Sequence, residues 1–237
     1  MKNMIERLEG INWEAVAEDM NNRGYAQIKN VLTKKECDEL IQSYSAPDAY
    51  RKTISMERYR FGLGEYKYFQ YPLPGLITEI RETVYSHIAP IANQWMRELN
   101  TGESFPATHS ALKKLCADHG QANPTVLILK YGQDGFNTLH QDLYGEIYFP
   151  MQLVLFLNEP DEDYTGGEFV LTEQTPRAQS RVSVIRPQRG DMLLFTTNFR
   201  PVKGKKGYYR VNMKHGVSPL HSGHRYTLGI IFHDALS

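Results

Sequence analysis

Apolar residues recur at helical spacing through most of the first half of the chain and at strand spacing in the second, with the change near Thr125. Asn12 is placed to cap a short amphipathic helix carrying Trp13, Val16, Ala17 and Met20 and ending near Gly24. Residues 25–32 alternate as a strand. Thr33, with Glu36 three residues on, has the spacing of a capping box and opens a helix bearing Leu40 and Ile41. Residues 50–71 read as loop and hairpin. Pro74 then starts a long helical pattern through Leu76, Ile80, Val84, Ile88, Ile91, Trp95 and Leu99, which Pro90 is expected to kink or split. A further helix is expected over 110–117. Beyond Thr125, short strands are predicted at 126–131, 151–157, 168–171, 182–185, 192–196 and 226–232. Glycine-bearing turn signals separate most of them, among them 132–135, 161–167, 188–190, 203–207 and 222–223. Helices first and strands after give an α+β layout in which helices buttress a sandwich or barrel.

Composition narrows this. At 237 residues and 41% hydrophobic, with aromatics at 11%, the chain has enough apolar surface for a packed core and is not a disordered polymer. The expectation is a single domain over 1–237, with 1–124 as helical and hairpin support and 125–237 as the core. Cys37 and Cys116 are too few for a disulfide framework and read as buried free thiols. The acidic N-terminal stretch lacks an apolar signal-peptide core, and no apolar run approaches the ~18 residues of a membrane span, so a cytoplasmic, non-membrane protein is expected. The pattern gives no oligomeric state.

Most of the eight histidines read as ordinary. His87, His109 and His119 sit in or beside helical patterns, His221 and His224 flank a turn, and His233 follows the last strand with no evident partner. His140-Gln141-Asp142 differs. In extended backbone, residues i and i+2 share a face, so the imidazole and the carboxylate can grip one ion. His215, at the head of a turn leading into an apolar strand, is the best third ligand. Two histidines and a carboxylate form the facial set of non-haem Fe(II) oxygenases, leaving open positions for a chelating 2-oxo acid and O2. Arg225, ten residues after His215, suits bidentate capture of the far carboxylate of 2-oxoglutarate.

Four ordered segments then carry a resemblance: YGQDGFNTLHQD (131–142), TGGEF (165–169), RGDMLLF (189–195) and HGVSPLHSGHRYTLGIIF (215–232). Together they resemble the Fe(II)/2-oxoglutarate-dependent dioxygenases. The first resembles the strand-turn-strand approach to the metal in prolyl 4-hydroxylases. The whole sequence looks closest to a bacterial branch of oxygenases described as acting on damaged nucleic acid. The resemblance implies a double-stranded β-helix (jelly-roll, cupin-like) core with N-terminal helices packed on one sheet. It implies iron ligation by His140, Asp142 and His215, 2-oxoglutarate binding by Arg225, and a cosubstrate pocket lined by Tyr131. It also implies O2 as oxidant, hydroxylation of a C–H bond, and ascorbate as an accessory reductant. Some prolyl hydroxylases place a cosubstrate-binding tyrosine where this chain has Phe156. Gln152, on the same strand face as Phe156, is either the replacement polar contact or an outward-facing polar residue. The glycines of TGGEF and RGD read as architecture.

A formal net charge of zero hides a segregated pattern. Asp142 to Glu173 holds eight acids and no Lys or Arg, whereas 174–225 holds eleven Lys and Arg against Asp191 alone. Part of that basic block, RPVKGKKGYYR, leads directly into His215 and is expected near the active-site mouth. Residues 50–71 interleave five basic residues with seven aromatics, a lid candidate. Cations with flat rings suit nucleic acid. A peptide side chain and a small anion are the other substrate classes, and a solvated surface is the bland reading. A metal-binding cupin-type barrel without catalysis is the contrasting class, for which Arg225 has no use.

Overall fold

Helices begin where the chain supplies caps. In the computed structural model, which describes residues 2–237, the Asn3 side chain accepts from the Glu6 N–H at 2.8 Å and the Glu6 carboxylate accepts from the Asn3 N–H at 3.0 Å, opening α1 (Met4–Glu9). Asn12 caps α2 (Trp13–Arg23), which stops at Gly24 in the left-handed conformation, φ 76°. After β1 (Tyr25–Ile28), the capping box of Thr33 and Glu36 heads α3 (Lys34–Ser43). The 50–71 segment forms β2 (Tyr50–Ser55), β3 (Gly62–Leu63) and β4 (Glu65–Phe69). α4 (Gly75–Glu98) then runs through Pro90 as one helix rather than splitting. Ile88, Ala89, Ile91 and Ala92 around the proline are all buried, and that packing outweighs one missing N–H. α5 (His109–Asp118) completes the helices.

The strands that follow are β5 (Leu127–Tyr131), β6 (Phe136–His140), β7 (Met151–Phe156), β8 (Tyr164–Gly166), β9 (Phe169–Gln174), β10 (Arg181–Ile185), β11 (Met192–Thr196), β12 (Phe199–Gly204), β13 (Gly207–Val217), β14 (Leu220–Gly223) and β15 (Arg225–Ile231). They build a seven-stranded sheet of order β1-β11-β7-β15-β5-β4-β2 and a second sheet of order β10-β9-β13-β6-β3, with β12 paired to β13. β14 and β8 form a separate ribbon. All these ladders are antiparallel. Strands from before residue 125 thus continue the sheets of the second half: β1 pairs β11, β4 pairs β5, and β3 pairs β6.

Strand alternation explains why the central runs are apolar throughout. On β7 and β11, Leu153, Leu155, Met192 and Leu194 face the helices and join one cluster with Ile77, Ile80, Val84 and Trp95. Val154, Phe156, Leu193 and Phe195 face the other way and pack on Phe169, Leu171 and Ile185 of the second sheet. The result is three layers: helices, large sheet, small sheet. No helix is long and apolar enough to cross a membrane. Cys37 and Cys116 are free and buried.

Five strands, β6, β8, β12, β13 and β14, lie where the sequence pattern predicts connection. β6 occupies the stretch between a glycine turn and His140. β12 and β13 form a hairpin through the basic block, with Val202 opposite Tyr209, Lys203 opposite Tyr208, and only Lys205 and Lys206 in the turn. Gly204 and Gly207 resembled loop punctuation, but Val211, Met213 and His215 are buried while Arg210, Asn212 and Lys214 are exposed, the period-two pattern of a strand.

Candidate metal centre and its cavity

β6 and β13 are antiparallel neighbours, and their register sets His215 opposite His140. The two rings lie 4.2 Å apart between centroids. Just past the end of β6, Asp142 returns its carboxylate to the same place, with Oδ2 3.2 Å from His215 Nε2 and Oδ1 3.6 Å from His140 Nε2. One ligand atom from each residue lies within 4.8 Å of the others, a spacing that fits a single ion. The structure therefore brings together the three residues that the sequence nominated.

Their protonation suits metal binding. His140 Nδ1 donates to the Thr138 carbonyl at 2.7 Å, which leaves the Nε2 lone pair directed to the centre. Burial pushes His215 below its ordinary range, and the neighbouring His140 adds to this against the pull of Asp142. Burial opposes ionisation of Asp142, but the charge of His140 and the hydrogen bond and charge of His215 outweigh it, so the carboxyl sits well below the usual carboxylate range. Phe169 stacks 5.8 Å from the His215 ring and Phe195 meets it edge-on at 4.8 Å, which holds the imidazole in one orientation.

Two neutral donors complete the hydrogen bonding of Asp142. Tyr144 Oη donates to Oδ1 at 2.8 Å and Gln152 Nε2 donates to Oδ2 at 2.8 Å. Gln152 is buried and inward, not an outward polar residue, and the group it touches is this carboxylate. Tyr144 was not singled out from the sequence. Its only signal was its place two residues beyond Asp142.

The three groups open into a cavity of about 240 Å³ between the sheets, whose walls include Tyr131, Asn137, Phe169, Phe195, Arg225 and Thr227. Arg225 opens β15 opposite Tyr131 and is 1% exposed. Its guanidinium lies 5.6 Å from the Tyr131 ring and 5.3 Å from the Phe156 ring. Among the described residues no carboxylate pairs with it, and its Nε and Nη1, like the Tyr131 hydroxyl, have no hydrogen-bond partner. Buried unpaired donors of this kind are expensive unless an anion meets them. A dicarboxylate that chelates a metal at one end and meets Arg225 at the other fits this cavity. Gly167 makes the room. At φ 63°, a Cβ there would lie 2.5 Å from Leu220 Cδ1 and 3.2 Å from Arg225 Cδ.

Asp191 of RGD is buried and accepts from Gln27 Nε2 and from the Asn30 and Gln188 N–H groups, tying the end of β1 to the turn before β11. The hairpin part of the basic block does not reach the cavity, whose lining takes nothing from 199–214; of the block's basic residues only Arg225 lines it. Strand alternation turns Arg210 and Lys214 to the face opposite His215. The cavity does take Phe61 and Tyr66 from the 50–71 segment.

The chain matches the Oxygenase-NA family model, described as an oxygenase catalysing oxidative methylation of damaged DNA, over residues 64–235. An uncharacterised protein of Mycobacterium tuberculosis is 43% identical over 167 residues, 70% of this chain and 72% of its own. Among solved structures, a prolyl hydroxylase from Trichoplax adhaerens, complexed with a hypoxia inducible factor peptide fragment, aligns over 97% of this chain and 91% of its own, with TM-score 0.57 and 17% identity. A 2OG-Fe(II) oxygenase family oxidoreductase from Burkholderia pseudomallei aligns over 95% and 94%, with TM-score 0.55 and 13% identity. A Pseudomonas putida prolyl-4-hydroxylase aligns over 92% and 96%, with TM-score 0.53 and 15% identity. At such identities the structural likeness speaks for a shared mixed helix and jelly-roll fold.

Proposed function

We propose for this chain, which belongs to the Oxygenase-NA family and is a 2-oxoglutarate/Fe(II)-dependent oxygenase, that His140, Asp142 and His215 hold the iron and that Arg225 and Tyr131 hold 2-oxoglutarate. The observation that carries this reading is the buried Arg225, with no carboxylate beside it and with Nε and Nη1 free of hydrogen-bond partners, in the same cavity as the His-Asp-His cluster. A non-catalytic metal barrel has no need of it. The eight strands β5, β6, β7, β9, β10, β11, β13 and β15 form the double-stranded β-helix, four in each sheet.

When bound, the iron with 2-oxoglutarate and O2 supplies oxidative decarboxylation, giving succinate, CO2 and an oxygen atom for a substrate C–H bond. The residues of the chain supply the setting. His140 and His215 direct their Nε2 atoms to the centre. Tyr144 and Gln152 hold the Asp142 carboxylate by both oxygens. Arg225 fixes the far end of the cosubstrate by charge, and Tyr131 adds a hydroxyl donor. Phe156, Phe169 and Phe195 keep the inter-sheet space apolar, which confines reactive species to the substrate.

The substrate class we favour is damaged nucleic acid, with hydroxylation of an N-methyl carbon leading to oxidative demethylation. The description of the family and the cationic aromatic segment at the cavity support it. Peptidyl hydroxylation rests on the fold likeness and on the resemblance of 131–142 to the metal approach of prolyl 4-hydroxylases. The test is anaerobic titration of Fe(II) and 2-oxoglutarate, followed by the visible charge-transfer band, then succinate release on admitting O2. His215→Ala is expected to lose both signals, and Arg225→Ala to weaken 2-oxoglutarate while keeping metal. A wild-type band in His215→Ala would remove the ligand assignment.

A further inference from the structure

The 50–71 segment holds an exposed aromatic pair that the core does not use. Tyr59 and Phe61 stack at 5.5 Å between centroids with planes 16° apart, and each keeps nearly half its surface in solvent, 46% and 45%. Arg58 lies 5.9 Å over the Tyr59 ring. Arg58 and Arg60 are exposed, and among the described residues neither has an ion-pair partner. The nearby acid, Glu57, already accepts from the Ser55 hydroxyl at 2.8 Å.

This turn is fastened to the candidate metal centre. The Phe61 carbonyl accepts from both the N–H and the hydroxyl of Thr138, each at 2.8 Å, and the Thr138 carbonyl accepts from His140 Nδ1. Phe61 lines the cavity. Gly62, at φ 149°, follows it so closely on β6 that a Cβ would stand 2.2 Å from the Phe136 carbonyl. Met56, fully buried under the turn, packs in one cluster with Tyr131. Phe61 is thus held in fixed register with the strand that carries His140, at the rim of the cavity, and Tyr59 stacks on it. Isolated exposed rings are common on protein surfaces, but a stacked pair flanked by free guanidinium groups is the composition of a base-stacking platform.

We propose that residues 58–61 are the substrate platform: an unstacked base of single-stranded DNA lies on the Tyr59–Phe61 pair, and its flanking phosphates meet Arg58 and Arg60. This rests on the nucleic-acid reading above, and it locates binding here rather than on the more strongly basic β12–β13 hairpin. Free guanidinium groups favour an anionic polymer over a peptide as occupant.

The test uses the full chain and a short single-stranded oligonucleotide carrying 2-aminopurine, whose fluorescence falls on stacking, with anisotropy of a fluorescein-labelled copy for affinity. Wild type is expected to bind and quench. Tyr59→Leu with Phe61→Leu is expected to abolish the quench and weaken binding roughly tenfold. Arg58→Gln with Arg60→Gln should retain the quench and reduce the slope of log affinity against log salt by about 1.4. Lys205→Gln with Lys206→Gln should behave as wild type. Thermal melts at the wild-type midpoint establish that each variant is folded. If the hairpin variant loses binding while both turn variants bind and quench normally, the platform is overturned and the nucleic-acid reading stands. If wild type binds no oligonucleotide at low salt but binds a peptide through Tyr59 and Phe61, both fall together.

Discussion

At Asp142, one carboxylate has two neutral donors, one on each oxygen. Groups of this kind orient a metal ligand without touching the metal, and losing one typically reduces metal affinity ten- to a hundredfold, about 1.4–2.8 kcal/mol. Tyr144→Phe and Gln152→Leu are therefore each expected to weaken Mn(II) binding within that range, read by electron paramagnetic resonance of free Mn(II), with 2-oxoglutarate affinity changed less. Arg225 gives the opposite kind of prediction. Its burial without a paired carboxylate is a stability cost carried for binding. Arg225→Met is expected to melt higher than wild type in the absence of ligand. It should also lose the stabilisation of about 2.7 kcal/mol that cosubstrate at a hundred times Kd confers on the wild type. Of these residues His140, Asp142, His215 and Arg225 were legible from residue type and spacing. Tyr144 was not, because a tyrosine two positions from a ligand has no distinguishing pattern until the loop after Asp142 folds back.

Between elements, the C-terminal residues after β15 are clasped from both sides. His109, at the start of α5, donates from Nε2 to the Phe232 carbonyl at 2.9 Å, and His233 Nδ1 accepts from the Phe149 N–H at 3.0 Å. Arg81 of α4 pairs with Asp234 at 2.8 Å, both 1% exposed. Burial, then the charge of Arg81, pushes His109 and His233 each down to about 3. Both are neutral in the fold and titrate near 6.5 when it opens, so the unfolded chain binds more protons between those values. Their stabilisation is complete above pH 6.5 and is lost as pH falls towards 3, about 2 kcal/mol per histidine by pH 5. Urea midpoints of the metal-free chain should fall from pH 7 to pH 5, and His109→Asn should remove part of that slope. The sequence pattern left His233 without a partner, since its acceptor role depends on a loop more than eighty positions away. At the β8–β9 junction, Gly167→Ala is expected to destabilise by roughly 1–3 kcal/mol through its left-handed backbone. It should also raise the KM for 2-oxoglutarate, because the new methyl crowds Leu220 and Arg225.

Across the whole molecule, the two halves share their sheets. β1 covers one side of the large sheet, β4 and β2 extend the other, and the helices bury the face that Leu153, Leu155, Leu194 and Ile230 present. A chain restricted to residues 125–237 would expose that face together with the edges of β5 and β11, and is expected to lack near-ultraviolet circular dichroism and to bind a hydrophobic dye. A folded fragment with native-like near-ultraviolet signals would contradict a single folding unit. Charge also resolves at this scale. Part of the basic block of 174–225 is spent on pairs within the small sheet, Arg181 and Arg200 with Glu173, and its 199–214 stretch lies off the cavity, whereas Arg225 and, from the 58–61 turn, Phe61 line it.

What the sequence determined by itself was local or periodic: capped helices, apolar strand runs, and the spacing HxD, then His215, then Arg225. Each depends on neighbours within a few residues or on a short motif, so each is readable in one dimension. The tertiary structure alone decided which groups face one another. Register set His215 on His140, strand alternation turned Arg210 and Lys214 away from the cavity, and β3, two residues long, seated Phe61 at its rim. Those outcomes depend on pairing between strands distant in sequence, where a shift of one residue reverses every side chain, and no local pattern encodes that choice.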